Sequence, residues 1–146
     1  WLVKQKDGRS YDYDIAISIS RDAGATWSKP KTPHRDESAA AHGFAVLFPA
    51  DGQAGIIWLD GRPRLTQKEG SKHEHKSGHF ALRYTRIHRD GSLGDEQVID
   101  DNTCTCCWPT VTVTQANASP KTFYFTASSW ALKRPTFQVT SPEYKG

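Results

Sequence analysis

The sequence predicts an all-β protein built from successive antiparallel sheets. Three observations carry this. The run Asp14-Ile15-Ala16-Ile17-Ser18-Ile19-Ser20 alternates, three isoleucines facing one way and small or polar residues the other, the period-2 pattern of a half-buried strand. The pairs Asp51-Gly52 and Asp90-Gly91 are turn signals that punctuate further apolar or alternating runs. Helical propensity is confined to Glu37 to Ala41, enough for a turn or two.

Taken in order, Trp1-Leu2-Val3-Lys4 reads as the middle of a strand, followed by a polar loop and the alternating run. That run ends in Ser20-Arg21-Asp22-Ala23-Gly24-Ala25-Thr26-Trp27. Here Asp22 can fold its carboxylate back onto nearby amides, and Gly24 tolerates positive φ. The Trp27 ring is expected to drop onto the hairpin as a buried apolar plug. Ala45 to Pro49 and Gly55 to Leu59 flank Asp51-Gly52 as a hairpin. Phe80, Leu82 and Tyr84 alternate with Ala81, Arg83 and Thr85 ahead of Asp90-Gly91. Thr110 to Thr114, Thr122 to Thr126 and Thr136 to Thr140 complete the strands. Trp1-Leu2-Val3-Lys4, with its polar loop, alternating strand and turn, has a counterpart 57 positions later. There Trp58-Leu59-Asp60-Gly61-Arg62 leads into a longer loop, a strand over 79–87 and a turn, a repeat within reach of one four-stranded unit.

The 146 residues suffice for one domain with a sizeable core, and 36% hydrophobic with 11% aromatic residues exclude a disordered chain. Nineteen basic against 16 acidic residues are interspersed, which predicts a mixed solvated surface and no nucleic-acid patch. The longest apolar runs fall well short of the roughly 20 residues of a membrane span. The opening in mid-strand and the lack of methionine read as a piece of a longer chain.

The octapeptide 20–27 matches the "Asp-box" repeat at every fixed position: Ser20, Asp22, Gly24, Thr26 and Trp27. The chain therefore resembles the sialidases and their relatives, which carry the box on outer hairpins of β-propeller blades. The resemblance implies a propeller fragment of about two to three four-stranded blades: a partial blade in 1–34, a full blade over 43–100 and a partial blade over 109–146. Open sheet edges would then need covering by self-association or by further chain. It also implies that segments 5–12, 32–43, 60–78, 100–109 and 128–135 meet on the face opposite the box. Those loops hold most of the reactive side chains, and the turns do not.

The succession of Asp-box, His42-Gly43-Phe44, Trp58-Leu59-Asp60-Gly61-Arg62 and a Cys cluster looks like a group of bacterial sialidase-like proteins, over residues 1 to about 126. Ala41 stands where that group has Glu, and Phe125-Thr126-Ala127 where it has an Arg-Asp pair. Sialidases proper use a Tyr–Glu pair, an Asp acid/base and three carboxylate-binding arginines. By location alone, Tyr11 or Tyr13 could serve as nucleophile, and Arg62 and Arg83 could belong to the arginine cluster.

Candidate chemistry gathers in four places. Asp60 and Arg62 leave their strand at a loop mouth, where the guanidinium can clamp a carboxylate or sulfate, or close the strand end as a salt bridge. Asp36 and Glu37, near His42, are adjacent carboxylates suited to proton transfer at a glycosidic bond, or an exposed charged loop. Cys104, Cys106 and Cys107 read as a disulfide plus one extra thiol, or as ligands for zinc or copper. His73, His75 and His79 add imidazoles to a Lys- and Gly-rich loop, a solvated segment or further metal ligands. Asn117-Ala118-Ser119 fits a glycosylation sequon where a turn is due. The expected function is a sialidase-like, extracytoplasmic, carbohydrate-active protein, with Asp36, Glu37 or Asp60 moving the proton and His42, Arg62 and Arg83 binding an anionic sugar. The alternatives are a non-catalytic glycan- or protein-binding propeller and a Cys/His metal-binding protein.

Overall fold

The computed structural model describes residues 1–6, 8, 12–50, 53–65, 80–103, 108–113, 122–127 and 136–140, with side chains described as far as Thr112. Among the described residues, nine strands and one helical turn make up three antiparallel sheets: β1 Leu2–Lys4, β2 Tyr13–Ile15, β3 His42–Ala50, β4 Gln53–Asp60, α1 Arg62–Leu65, β5 Phe80–Ile87, β6 Gln97–Thr103, β7 Pro109–Val113, β8 Thr122–Ala127 and β9 Thr136–Thr140. β1 pairs with β2, β3 to β6 form a four-stranded meander, and β7 to β9 form a third sheet. The chain is thus mostly β and antiparallel. The central meander occupies nearly the span expected to form a whole repeat unit.

The central sheet is buried on both faces, because β4 is apolar at consecutive positions instead of alternate ones. Ile57, Leu59, Leu82, Tyr84, Phe48, Phe80 and Ala50 fill one side, against which Val111 of β7 packs. Ile56, Trp58 and Ile87 fill the other, together with Ile15 and Ile17 from the first sheet and the segment after it. The first sheet and β7 therefore pack against opposite faces of the meander. The isoleucines of the alternating run do share one side, as their period requires.

The register separates the two ends of the stack. Ala50 pairs with Gln53 and Ala54 with Ile87, so the turns cluster at one end. Arg21 Nη2 donates to the Arg89 carbonyl at 3.2 Å, which brings the 20–27 loop to that same end. His42 pairs with Asp60, Asp60 with Ala81 and Phe80 with Thr103, so the long connections leave from the opposite end.

Several expectations are corrected. The strand expected through Ser20 ends at Ile15, after which Ile17 makes an isolated bridge to Lys31. Glu37 to Ala41 is not helical: Asp36 caps Ser38 through its side chain, accepting from the Ser38 amide at 3.2 Å and hydroxyl at 2.6 Å, which draws the backbone into a bend. The helical turn instead follows Gly61, over Arg62–Leu65. Trp27 is not a buried plug: it is 64% exposed, its indole donating to the Gly24 carbonyl at 3.1 Å. The Asp22 arrangement does form, with Oδ1 accepting from the Thr26 amide at 2.8 Å and Gly24 at φ +94. Hydrogen bonds from Thr26 and Ser20 hold the Asp22 carboxyl down at about 2.

Candidate functional site

At the loop end, between the first sheet and the meander, the interface changes from apolar to ionic. β2 supplies Asp14, the extended segment after Lys31 supplies His34 and Asp36, and β3 opens on His42. β4 closes on Asp60, α1 opens on Arg62, β5 carries Arg83, and Glu96 precedes β6. Asp60, Trp58 and Arg83 share the face of Ile56, since residues two apart on a strand point the same way.

Glycine at position 61 makes the corner possible. A Cβ there would lie 3.0 Å from the Ala41 carbonyl oxygen and 3.1 Å from its nitrogen, both backbone atoms that cannot step aside. The Gly61 amide donates to that carbonyl at 2.7 Å, tying the end of β4 to the entry of β3. Phe44, at φ 49, marks the irregularity between Gly43 and Val46 just beyond His42.

Asp60 is sealed from solvent and fully coordinated. It accepts from the Trp58 indole at 2.9 Å, from the Arg62 amide at 3.1 Å, and from Arg62 Nε and Nη2 at 2.8 and 2.6 Å. Arg62 also donates to Glu96 at 2.7 Å, and Arg83 Nη1 donates to Glu96 at 3.3 Å. Arg83 Nε lies 3.6 Å from Asp60 and makes no hydrogen bond. The two guanidinium groups thus face inward on carboxylates. Burial pushes the Asp60 carboxyl up, but the Arg62 and Trp58 hydrogen bonds outweigh it and hold it below the usual range. Glu96 is likewise held down, burial being offset by the Arg35 amide and by Arg62. Arg62 is raised by its bond to Asp60.

The histidines form the second half of the cluster. His34 and His42 stack with centroids 3.8 Å apart and planes 4° from parallel. His42 Nδ1 lies 3.1 Å from Asp14 Oδ1, while its Nε2 faces Asp36 Oδ2 at 3.2 Å and Asp60 Oδ2 at 3.6 Å. His34 Nδ1 lies 3.2 Å from the Asp36 carbonyl, an acceptor, so that nitrogen carries the proton and Nε2 the lone pair. Nε2 lies 3.7 Å from Asp14 Oδ1. Burial, then the charge of His42, lowers the His34 pKa and favours the neutral ring. Asp36 is held low: burial is outweighed by Ser38, Arg62 and His42. Gln5 Nε2 braces the group, donating to Asp14 Oδ1 at 2.8 Å and the Ala40 carbonyl at 2.9 Å.

Five of the residues singled out from sequence, Asp36, His42, Asp60, Arg62 and Arg83, are therefore within one network. Asp36 is drawn into it and does not sit in an exposed charged loop. Glu37, the next residue, is exposed. Tyr13 lies in β2 opposite Lys4. Tyr11, His73, His75, His79, Cys104, Cys106, Cys107 and the 117–119 sequon lie outside the described residues. Asp14, His34 and Glu96 escape sequence reading because no short motif contains them. Asp14 is 28 positions from its partner His42, and the one weak signal is a charged residue opening an otherwise apolar alternation.

No protein-family model matches the chain, and no significant match is found among curated proteins or solved structures. Among the described residues, no helix is long and apolar enough to cross a membrane.

Proposed function

We propose that the chain is part of a sialidase-like Asp-box β-propeller protein that acts on carbohydrate at its loop end. The observation that supports this most is segregation. The Asp-box loop and the Asp90-Gly91 turn share one end of the stack, and the ionic cluster occupies the other. Ligands in stacked-sheet architectures meet the ends from which long connections emerge. On this reading the stacked sheets are blades, and an anionic sugar sits over Arg62 and Arg83, which are partly exposed at 24% and 20%. Asp36 is the carboxylate best placed to move a proton: it contacts His42, and unlike Asp60 it is not sealed from solvent.

A second reading, a propeller that binds glycan without cleaving it, is favoured by one specific observation. Asp60 is wholly enclosed and both arginines already satisfy internal carboxylates, so no pair of free carboxylates flanks an open cleft among the described residues. The test is turnover of a panel of fluorogenic sialosides and other glycosides by the full-length protein, alongside a glycan array. Turnover lost in Asp36→Asn supports the hydrolase. Saturable glycan binding without turnover selects the binding protein. Neither turnover nor binding overturns both. An extracytoplasmic location suits three cysteines close in sequence, and cell fractionation would check it.

A further inference from the structure

We propose that Asp14 Oδ1, His34 Nε2 and His42 Nδ1 form a three-ligand site for a divalent transition-metal ion of the zinc type, with water in the remaining position. The three donor atoms lie within 4.8 Å of one another, at 3.1 Å and 3.7 Å from the shared Asp14 oxygen. Ligands about 2.0–2.1 Å from a tetrahedral zinc stand roughly 3.3 Å apart, close to the two distances from Asp14. Asp14 and His34 have no part in the carbohydrate reading.

The outer partners favour a metal. Imidazoles that hold metals donate their second N–H to a carbonyl or carboxylate, which fixes the tautomer and the ring orientation. His34 donates Nδ1–H to the Asp36 carbonyl, leaving a Nε2 lone pair that is buried, with 1% side-chain exposure, and has no hydrogen-bond partner. His42 Nδ1 hydrogen-bonds Asp14 Oδ1 at 3.1 Å and so carries a proton in the metal-free protein, which an ion would displace. Its Nε2 has no hydrogen-bond partner and faces Asp36 at 3.2 Å and Asp60 at 3.6 Å, carboxylates ready to take that proton. Asp14 is itself oriented by Gln5. The buried His34 Nε2 lone pair thus meets no donor, and an ion between it and Asp14 would supply its partner.

Charge and access agree. Asp14, Asp36, Asp60 and Glu96 outnumber the two guanidinium groups of Arg62 and Arg83, an excess of negative charge that favours a cation. Asp14 is 31% exposed, giving the ion an entry path and a water its place. Two nitrogen donors and one carboxylate suit zinc, or cobalt as its spectroscopic substitute, better than calcium or magnesium. Binding also has a structural signature: parallel rings cannot both aim at one ion, so the 4° stack must open.

Zinc and cobalt titrations of the full-length protein test this, carried out in the wild type and in a background with Cys104, Cys106 and Cys107 replaced by Ser. One equivalent is taken up in both, and the cobalt form shows d–d absorption without thiolate charge transfer. His34→Gln and Asp14→Asn each weaken uptake by at least tenfold to a hundredfold. Should those variants fail to fold, long-range imidazole 15N spectra of the wild type decide: one equivalent of zinc shifts His34 Nε2 and His42 Nδ1. No uptake, uptake abolished by the Cys replacements, or unmoved His34 and His42 nitrogens would overturn the proposal.

Discussion

The two faces of the central sheet differ in what they ask of their residues. Toward β7 the face is largely apolar: Phe48, Ile57, Leu59, Leu82 and Tyr84 form one continuous core. Toward β2 the face is apolar only at its turn end, where Ile56 and Ile87 meet Ile15 and Ile17. At its loop end the positions in line with Trp58 carry Asp60 and Arg83, and His42 sits beside them. The first face needs only shape and burial. The second must also answer charge with charge, because a buried charge without a partner costs far more than a small cavity. A sheet that stability alone had shaped would be apolar on both sides.

The largest effect tests the ionic half. Asp60→Asn leaves the largely buried Arg62 and Arg83 with one carboxylate fewer, and should lower unfolding free energy by about 3–5 kcal/mol in urea titrations. A loss below about 1 kcal/mol would mean that solvent reaches the pair. On the apolar face, Leu82→Ala should cost about 3 kcal/mol, the usual range for a fully buried leucine. A cost that does not change between low and high salt is expected here. Next comes Gly61→Ala, which forces a Cβ against the Ala41 backbone and should cost roughly 1–3 kcal/mol while changing the His42 and Asp60 resonances.

The pH dependence separates the faces in another way. His34 has its pKa lowered in the folded protein, so the unfolded chain binds its proton more readily. Stability of the metal-free protein should therefore fall as pH drops below the unfolded value of about 6.5, and His34→Gln should remove that component. Asp36, Asp60 and Glu96 are depressed, and their contribution is present above the unfolded carboxylate pKa and lost as pH falls further. The smallest effect is at the turn end: Trp27→Ala should change stability by less than about 0.5 kcal/mol, since the ring is largely solvated. A loss of several kcal/mol would restore the buried-plug expectation.

Much of the fold is legible in the sequence because strand signals are local. Thr122 to Thr126 and Thr136 to Thr140 alternate, and β8 and β9 form there. β6 has no such sign, since Gln97–Thr103 carries two acids and an Asn among few apolar residues, and pairing with β5 alone makes it a strand. Glu37 to Ala41 misleads because alanine propensity counts for little once Asp36 captures Ser38. Asp36, His42, Asp60, Arg62 and Arg83 are identifiable, lying at strand ends, in loops or in an alternating strand. What stays hidden is that the arginines turn inward, and that Asp14 and His34 complete the cluster. Such partnerships depend on stacking between sheets, for which a sequence has no short-range sign.

The most direct test of the stacked-sheet cluster is a 13C-resolved NOE spectrum of the metal-free wild type. Rings 3.8 Å apart must exchange magnetisation strongly, so intense cross-peaks between the ring protons of His34 and His42 are expected. Their absence, with both rings assigned and ordered, would contradict the convergence of β2, β3 and the intervening segment on which the cluster depends.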